Sequence, residues 1–337
     1  MLHRREMPEP QEIASSVADA PSAFKVLALY KFVSLPDAEA LKPALAQFCC
    51  GRRIRGTFIL APEGINGTVT GTPKAIDALT GWFATDPLWA GRLAGAEAKL
   101  SWAGEMPFHR MKVRLKPEIV TLRAPEADPS RWVGTYVEPR DWNRLIERND
   151  VTVIDTRNDY EVKLGSFSRA QDPGTKSFTA FKDYVATLDP RRHPKVAMFC
   201  TGGIRCEKAS AYMLSQGFAE VFHLKGGILK YLETVPAAES RFSGECFVFD
   251  ERVSVVHGLA KGEAVLCRAC RLPVLPEAAV GSLCRDCAEA APAGAAERER
   301  QMALARTRGE AHLGDDAAAA AARNKARKLA AKERSRG

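Results

Sequence analysis

The sequence predicts a multidomain protein in which an α+β domain precedes an α/β domain and a small cysteine-rich segment. Three observations predict this fold class: the length of 337 residues, two separate stretches of alternating extended and helical segments, and the clustering of the nine cysteines. At about 150 residues per domain, the length corresponds to two or three domains. Hydrophobic residues make up 46% of the chain and charged residues 27%, which is typical of a globular protein and excludes collagen-like, coiled-coil and wholly disordered chains.

Charge and hydropathy restrict the partners. Lys and Arg number 49 against 41 Asp and Glu, giving a net charge of +8, and residues 291–337 hold 11 of these basic residues against 6 acidic ones. This excess is compatible with an acidic partner. No apolar run approaches the roughly 18 residues of a membrane span, and residues 1–23 lack the apolar core of a secretory signal. We therefore expect a cytoplasmic protein with no membrane partner, and a disordered leader at 1–23.

Residues 24–119 show the order β-α-β-β-α-β, which is the ferredoxin-like arrangement. Within the predicted helix that begins at Asp37, apolar residues recur at helical spacing. The Asn66-Gly67 pair in the segment 63–67 predicts a tight hairpin turn between the two central strands. The predicted elements are strands at 25–33, 57–61 and 68–71, helices at 37–49 and 73–84, and further strands near 99–102 and 112–116.

Residues 120–138 are polar and contain two prolines, which predicts a linker. A helix is expected at 139–148, and the apolar runs at 151–155, 195–199 and 220–224 are typical of buried parallel strands. These elements define an α/β domain at 139–242. The composition then becomes Cys-rich over 243–290 and Ala- and Arg-rich over 291–337.

The segment Cys200–Cys206 (CTGGIRC) places a thiol at the end of a buried strand, before a Gly-rich turn and a helix. Backbone N–H groups of the turn, the positive end of the helix and the Arg205 charge would stabilise a thiolate or a bound anion. In such surroundings a thiol pKa near 8.5 falls to about 3.5–7.5. The pattern predicts that Cys200 is a nucleophile and that Arg205 holds negative charge; the alternative is a buried, inert thiol. The turn between them consists of Thr201, Gly202, Gly203 and Ile204.

The same loop resembles the six-residue active-site loop of the rhodanese superfamily. Residues 153–161 (VIDTRNDYE) and 221–228 (VFHLKGGI) are similar to the first and the closing rhodanese signatures. The C-x4-R spacing suits a sulfur atom better than the C-x5-R loop of rhodanese-like phosphatases, which argues against a phosphatase. We expect Asp155, Arg157 and Glu161 to support the loop from behind.

The whole arrangement resembles a narrower family, the rhodanese-like tRNA uridine(34) hydroxylases (TrhO family). This resemblance implies oxygen-dependent conversion of the wobble uridine to 5-hydroxyuridine, with Cys200 as the essential thiol and a carrier of persulfide. It implies molecular oxygen as co-substrate, an electron donor that the sequence does not identify, the tRNA anticodon loop as partner, and a protein that donates sulfur or electrons. Five blocks carry the resemblance: GTFILAPEGINGTVTG (56–71), MKVRLKPEIVT (111–121), DPGTKSFTAF (172–181), CTGGIRCEKAS (200–210) and FVFDERVSVVH (247–257).

Two other function classes remain open at this stage. The same loop would serve a thiosulfate or persulfide sulfurtransferase, and a non-catalytic tRNA-binding module is the alternative without chemistry. The histidines form no H-x-D/E iron signature, and no G-x-G-x-x-G follows a strand to bind flavin or nicotinamide.

The late cysteines form two C-x2-C pairs separated by 13 residues. Four thiolates at this spacing predict a structural zinc knuckle, against the alternative of thiols that bind nothing. The predicted ligands are Cys267, Cys270, Cys284 and Cys287.

Two basic clusters precede the α/β domain, and each predicts contact with RNA phosphates or, alternatively, a solvated charged face. They consist of Arg52, Arg53 and Arg55, and of Arg110, Lys112, Arg114 and Lys116. The basic tail at 323–336 suggests an RNA-binding arm or a dispensable extension. The segment 63–67 is interpreted either as a simple hairpin or as a cover over the Cys200 loop that touches the anticodon. Cys206 is expected to pack in the core or to resolve an oxidised Cys200.

Overall fold

The structure is a computed structural model that describes residues 24–290. The predicted leader at 1–23 and the basic tail at 291–337 lie outside these residues. The described chain divides into two compact units between Val265 and Leu266. None of its helices combines the length and the apolar composition needed to cross a membrane.

The first domain is a five-stranded sheet with two helices on one face. The strand order is β4-β1-β3-β2-β5, with β5 parallel to β2 and the other neighbours antiparallel. This confirms the ferredoxin-like prediction, and the chain adds β5 at the edge. The elements are β1 (Phe24–Phe32), α1 (Ala38–Gly51), β2 (Arg55–Ala61), β3 (Gly64–Gly71), α2 (Pro73–Thr85), β4 (Glu97–Ala103) and β5 (Met111–Leu115).

The two faces of this sheet have different roles. Leu27, Phe58 and Leu60 point to the helices and lie in a core with Leu41 of α1 and Leu79 of α2. Their neighbours along each strand point the other way, because side chains alternate across a strand. This second face has no helix of its own and turns toward the α/β domain.

The chain reverses between β2 and β3 at Pro62 and Glu63, and the Asn66-Gly67 pair lies inside β3. The prediction of an Asn-Gly turn at 63–67 was therefore wrong. Gly67 is needed where it lies because a Cβ there would be 2.3 Å from the Phe58 ring. The glycine makes room for a core aromatic of β2, a requirement that local turn chemistry does not reveal.

The second domain is an α/β layer structure with a four-stranded parallel sheet in the order β6-β10-β9-β7. One core lies between the sheet and α6, and the other lies between the sheet and α3 with α7. A short two-stranded sheet, β8 with β11, flanks it. The elements are β6 (Thr135–Val137), α3 (Pro139–Ile146), β7 (Thr152–Asp155), α4 (Asp159–Val162), β8 (Gly165–Phe167), α5 (Phe181–Val185), β9 (Lys195–Phe199), α6 (Ile204–Ser215), β10 (Glu220–Leu224), α7 (Gly227–Thr234) and β11 (Phe242–Gly244).

Residues 120–138, which the composition suggested as a linker, contribute to this domain. Leu122, Ala124 and Ala127 are buried in the core beside α6, and β6 pairs in parallel with β10 at the edge of the sheet. The polar composition reflects an edge position, where only some side chains need to be apolar.

The remaining strands are short. A strap at residues 245–259 carries β12 (Cys246–Phe247) and β13 (Ser254–Val255), which pair with each other, and it returns to the first domain where the Arg252 guanidinium donates to Ser101 Oγ over 2.9 Å. Four two-residue strands follow: β14 (Val265–Leu266), β15 (Pro273–Val274), β16 (Ala279–Val280) and β17 (Leu283–Cys284).

Candidate active site

Cys200 follows β9 directly, at the carboxyl end of a strand flanked on both sides by parallel neighbours. In open α/β sheets this end forms the crevice where ligands bind. The chain then turns through Gly203, whose φ of +100° lies in the left-handed region, and α6 begins at Ile204. A Cβ at Gly203 would lie only 3.0 Å from the Tyr30 hydroxyl of the first domain, so glycine allows the two domains to approach here.

The thiol of Cys200 lies in a nest of donors. The Gly203 amide donates to Sγ over 3.1 Å. Burial alone would raise the pKa of Cys200, but the adjacent Cys206 thiol, the Arg205 charge and the amides of Cys206 and Arg205 lower that pKa to about 5. These donors favour the thiolate form of Cys200 over the thiol.

The Arg205 guanidinium is held by Glu161 of α4. Its two terminal nitrogens donate to the two carboxylate oxygens over 2.7 and 2.8 Å, and one also donates to Thr201 Oγ1 over 3.3 Å. The Glu161 side chain is fully buried, and the nearby Arg205 charge lowers the pKa of its carboxyl despite the opposing effect of burial. Glu161 thus supports the loop directly.

Asp155 and Arg157 form a second ion pair behind the loop. Arg157 donates to the two Asp155 oxygens over 2.9 and 2.6 Å, and to the Gly165 carbonyl over 2.6 Å. Both side chains are completely buried. The pair joins the end of β7 to β8 and does not contact Arg205, so it supports the loop only through the surrounding backbone.

The start of α7 also holds the loop, a contact that the sequence analysis did not anticipate. The amides of Ile228 and Leu229 donate to the carbonyls of Cys200 and Thr201, each over 3.0 Å. Gly227 permits this approach, because its φ is +66° and a Cβ would lie 2.5 Å from the Cys200 carbonyl oxygen. The Gly226-Gly227 pair in the closing signature was the available signal.

The first domain contributes side chains to the site that the sequence analysis missed. Lys99 of β4 donates its ammonium to the Gly202 carbonyl over 2.8 Å. Tyr30 of β1 donates to Glu207 of α6 over 3.0 Å, and Tyr136 donates to the other oxygen of that carboxylate over 2.7 Å. Burial raises the pKa of Glu207 and lowers that of Lys99. No local pattern marks these residues, because only the packing of two domains brings them together.

The β2–β3 reversal packs against the α/β domain through a buried lysine. The ammonium of Lys208, on α6, lies 2.8 Å from a carboxylate oxygen of Glu63 and 2.6 Å from one of Glu118. The second Glu63 oxygen accepts from the Ile119 amide over 2.6 Å. This cluster anchors the segment 63–67 beside the helix that follows Cys200.

A cavity of about 690 Å³ opens over Cys200, between the open face of the first sheet and the α/β domain. Pockets of about 300–1,000 Å³ are typical of small-ligand sites. Its walls include Val26, Ile59 and Asn66 from the sheet, the loop residues 200–202, and the strap residues 248–250. Only 1% of the Cys200 surface is exposed, so a ligand reaches the sulfur only from within this cavity.

Part of the predicted basic surface lies on the cavity side of the sheet. Thr57 and Ile59 line the cavity, and their partners in the register with β5 are Lys112 and Arg114. Residues paired across neighbouring strands share a face, so these two basic side chains extend the cavity wall toward the sheet edge. Lys116, which follows β5, lines the cavity itself.

The other predicted basic residues lie after α1 and at the starts of β2 and β5. Arg55 begins β2, and the Arg110 carbonyl just before β5 accepts from the Gly56 amide over 3.1 Å. Arg52 and Arg53 follow α1, and the Arg52 guanidinium lies 3.8 Å from the centre of the Phe48 ring. Arg52 is thus engaged in an intramolecular cation–π contact.

Cys206 is buried in the core beside Ala209 and Met213, and its Sγ lies 3.6 Å from Thr156 Oγ1. Burial raises the pKa of this thiol. Cys206 thus packs in the core as expected. Because it also lies next to Cys200, its role as a thiol that resolves an oxidised Cys200 stays a prediction. Cys49 is buried in the first core while Cys50 is exposed.

The four late cysteines come together in the second unit. Their sulfurs all lie within 4.8 Å of one another, and those of Cys270 and Cys284 are 3.8 Å apart. In a tetrahedral zinc site with Zn–S bonds of about 2.3 Å, the sulfurs are separated by about 3.8 Å. The donor set therefore fits a closed, structural zinc ion.

Two family models match the chain: the UPF0176 acylphosphatase like domain over residues 24–119 and the rhodanese-like domain over residues 138–234. Among solved structures, a rhodanese-related protein from Thermoplasma volcanium matches at 23% identity, covering 30% of this chain and 93% of that chain with a TM-score of 0.25. An acylphosphatase from Coxiella burnetii matches at 13% identity, covering 28% of this chain and 94% of that chain with a TM-score of 0.21.

A curated relative matches both domains at once. It is a protein of Mesorhizobium japonicum named tRNA uridine(34) hydroxylase, 55% identical over 306 residues that span 86% of this chain and 96% of the relative. Identity at this level over nearly the full length of the relative confirms the family that the sequence motifs indicated. The chain belongs to the tRNA uridine(34) hydroxylase family.

Proposed function

We propose that this protein is an oxidoreductase that hydroxylates uridine 34 of tRNA to 5-hydroxyuridine, with Cys200 as the essential thiol. The observation that carries the proposal is the position of Cys200, whose sulfur accepts from the Gly203 amide over 3.1 Å and lines a cavity of about 690 Å³. Enzymes that modify a base bring it out of its stack into such a pocket. A wobble nucleotide in the anticodon loop is single-stranded and can enter at low cost.

The proposal gives each part of the chain a task. The ferredoxin-like domain at 24–119 handles RNA. The rhodanese domain at 139–242, together with residues 120–138 that pack in its core and sheet, holds the nucleophile. Within the rhodanese domain, Glu161 and the Asp155–Arg157 pair keep the loop rigid, and Arg205 adds positive charge beside the sulfur. Within the Cys-rich segment at 243–290, the four cysteines at 267–287 hold the second unit together.

Lys112 and Arg114 bind phosphates of the anticodon loop beside the cavity, and Arg55 and Arg110 extend this basic surface. Such contacts supply affinity that depends on salt but not on base sequence. A structural zinc ion held by the four late cysteines would stabilise the second unit. Molecular oxygen serves as co-substrate, and a separate donor supplies electrons. The reaction takes place in the cytoplasm, where tRNA is used in translation.

The test is nucleoside mass spectrometry of tRNA from a strain lacking the gene and complemented with the full chain. We expect wild type and the exposed-thiol control Cys50→Ala to restore 5-hydroxyuridine, and Cys200→Ala to leave it absent. Growth without oxygen should also abolish the nucleoside. A Cys200→Ala protein that still makes 5-hydroxyuridine would contradict the proposal.

A persulfide sulfurtransferase is the second candidate, because the same ionised sulfur in a C-x4-R loop would carry a sulfane sulfur. The experiment separates the two functions. Loss of a thiolated nucleoside in the deletion strain, with 5-hydroxyuridine unchanged, would favour sulfur transfer.

A further inference from the structure

The chemistry of uracil suggests how a thiolate and a cation in one cavity would act on it. The C5=C6 bond is conjugated with the C4 carbonyl, so C6 accepts a nucleophile and the displaced electron pair moves through C5 onto O4. The resulting enolate makes C5 electron-rich, and C5 is the carbon that receives oxygen in 5-hydroxyuridine. An enzyme that favours this addition needs an ionised nucleophile and a positive group near O4.

We propose that the Cys200 thiolate adds to C6 of the target uracil and that the Lys99 ammonium stabilises the charge that develops on O4. The inference rests on the proposed function and assigns a catalytic role to a residue of the first domain. Both side chains line the same cavity, Cys200 from the rhodanese loop and Lys99 from edge strand β4.

The hydrogen bonds of Lys99 leave it free to act on a ligand. An ammonium has three donors, and one of them is directed to the Gly202 carbonyl over 2.8 Å. Within residues 24–290, Lys99 forms no ion pair with a carboxylate. The contact with Gly202 places the positive charge two residues along the chain from Cys200. The ammonium also lies 5.6 Å from the centre of the Tyr30 ring, and among residues 24–290 its other donors have no hydrogen-bond partner.

The other buried cations of the cavity wall are already engaged. Arg205 is held by both oxygens of Glu161, and Arg252 donates to both oxygens of Asp250 over 2.9 and 2.7 Å. These pairs make both guanidiniums structural, with Arg205 acting on the Cys200 charge. Lys116 is exposed at the edge of the sheet. Lys99 is thus the partly buried cation best placed to meet a developing oxyanion.

The addition of Cys200 to C6 requires no oxidant. The bond from Cys200 Sγ to C6 forms, the C5=C6 π bond breaks, and the negative charge of the thiolate passes to O4. Protonation at C5 by solvent, loss of the original C5 proton and expulsion of the thiolate then regenerate uridine. Without oxygen, the net result is exchange of the C5 hydrogen with water.

The experiment measures this exchange. Full-length protein is incubated with tRNA in D2O under strict exclusion of oxygen, and deuterium at C5 of uridine 34 is quantified by mass spectrometry of the anticodon fragment. A second assay uses tRNA containing 5-fluorouridine, in which the electron-withdrawing fluorine makes C6 more electrophilic and raises the amount of the Cys200–C6 adduct. The adduct is detected as a protein–RNA complex by intact mass spectrometry after acid quench.

We expect wild type and the control Lys74→Met, an exposed lysine of α2 on the helical side of the sheet, to exchange and to form the adduct. Cys200→Ser should do neither. Lys99→Met should exchange about 10²-fold more slowly, the usual effect of removing one oxyanion donor, while its affinity for tRNA stays the same. Lys99→Arg should regain part of the rate, and Lys99→Gln provides a second neutral variant if the methionine variant does not fold.

Three outcomes would overturn the inference or its basis. Exchange at the wild-type rate in both neutral Lys99 variants would show that Lys99 does not stabilise the charge on O4. Aerobic 5-hydroxyuridine formation by an enzyme that shows neither exchange nor adduct would refute the addition and leave the proposed function intact. Absence of both exchange and aerobic hydroxylation would refute the proposed function itself.

Discussion

Glu161 and Arg205 form a two-pronged ion pair, with hydrogen bonds of 2.7 and 2.8 Å, that ties α4 to the turn after Cys200. Both side chains are nearly or fully buried. The pair therefore fixes the Arg205 guanidinium beside Cys200, and the Glu161 carboxylate balances the Arg205 charge from the side away from the sulfur.

Removing the Glu161 carboxylate should destabilise the protein strongly. Glu161→Gln leaves the buried Arg205 charge without its paired carboxylate, and breaking a buried pair in this way costs about 3–5 kcal/mol. Urea unfolding measures the loss of free energy of unfolding. The exposed carboxylate Glu239 provides the control, because Glu239→Gln should change stability little. Equal stability of the two variants would show that the ion pair is not a structural support.

The lysine between the two domains should matter in a similar way. Lys208→Met leaves Glu63 and Glu118 without the buried ammonium that lies within 2.8 Å of both. We expect lower stability and a looser junction, seen as faster amide exchange in residues 62–66 and 118–120 by hydrogen–deuterium mass spectrometry. The exposed pair Lys230–Glu233 serves as the comparison, since Lys230→Met removes only a solvent-screened contact. Unchanged exchange in these segments would refute the prediction.

The ionisation of Cys200 predicts a distinctive pH profile. Its pKa is lowered to about 5, so the thiolate persists at neutral pH and gains its proton only as the pH falls through that value. Alkylation by iodoacetamide, followed by peptide mass spectrometry, should reach its plateau near pH 6 and fall about tenfold per unit below the pKa.

A matched variant tests the source of this shift. Arg205→Met removes the charge beside the sulfur, so the midpoint of the profile should move upward. A wild-type midpoint near the ordinary thiol value of about 8.5 would contradict the assignment of Cys200 as an ionised nucleophile.

The Cys cluster predicts one zinc ion per chain. Purified protein should contain it by elemental analysis, and Cys270→Ser or Cys284→Ser should release it together with structure in residues 266–287. Cys50→Ser, which changes an exposed thiol outside the cluster, should retain the metal. Full zinc loading in both cluster variants would refute the site.

The basic edge of the first sheet predicts salt-dependent binding of tRNA. Changing Lys112 and Arg114 to Ala should weaken affinity and reduce the slope of log K against log salt concentration by about 1 for each lost phosphate contact. Lys74→Ala, on the helical side, should leave the slope unchanged. If the double variant has the wild-type slope, Lys112 and Arg114 do not contact tRNA phosphates and only face solvent.

The sequence by itself determined the order of the main elements in the two domains, the place of Cys200 between a strand and a helix, and the thiol cluster. These features are local: a C-x4-R loop between an apolar strand and a helix, two C-x2-C pairs, and strand and helix patterns whose periods are visible in short windows. The Glu161 contact could be anticipated from the signature at 153–161 only as general support.

The tertiary structure decided the rest, because it depends on contacts between residues far apart in the chain. Lys99 meets Gly202 and Tyr30 meets Glu207 only when two domains pack, and nothing in the neighbouring sequence of either residue marks that meeting. Gly67 was expected in a turn, yet it lies in strand β3. A glycine is needed there because the Phe58 ring occupies the space that a Cβ would fill. Pairing of β5 with β2 likewise determines which basic residues face the cavity. Short-range patterns specify chemistry that one segment can hold, while long-range packing places the groups around it.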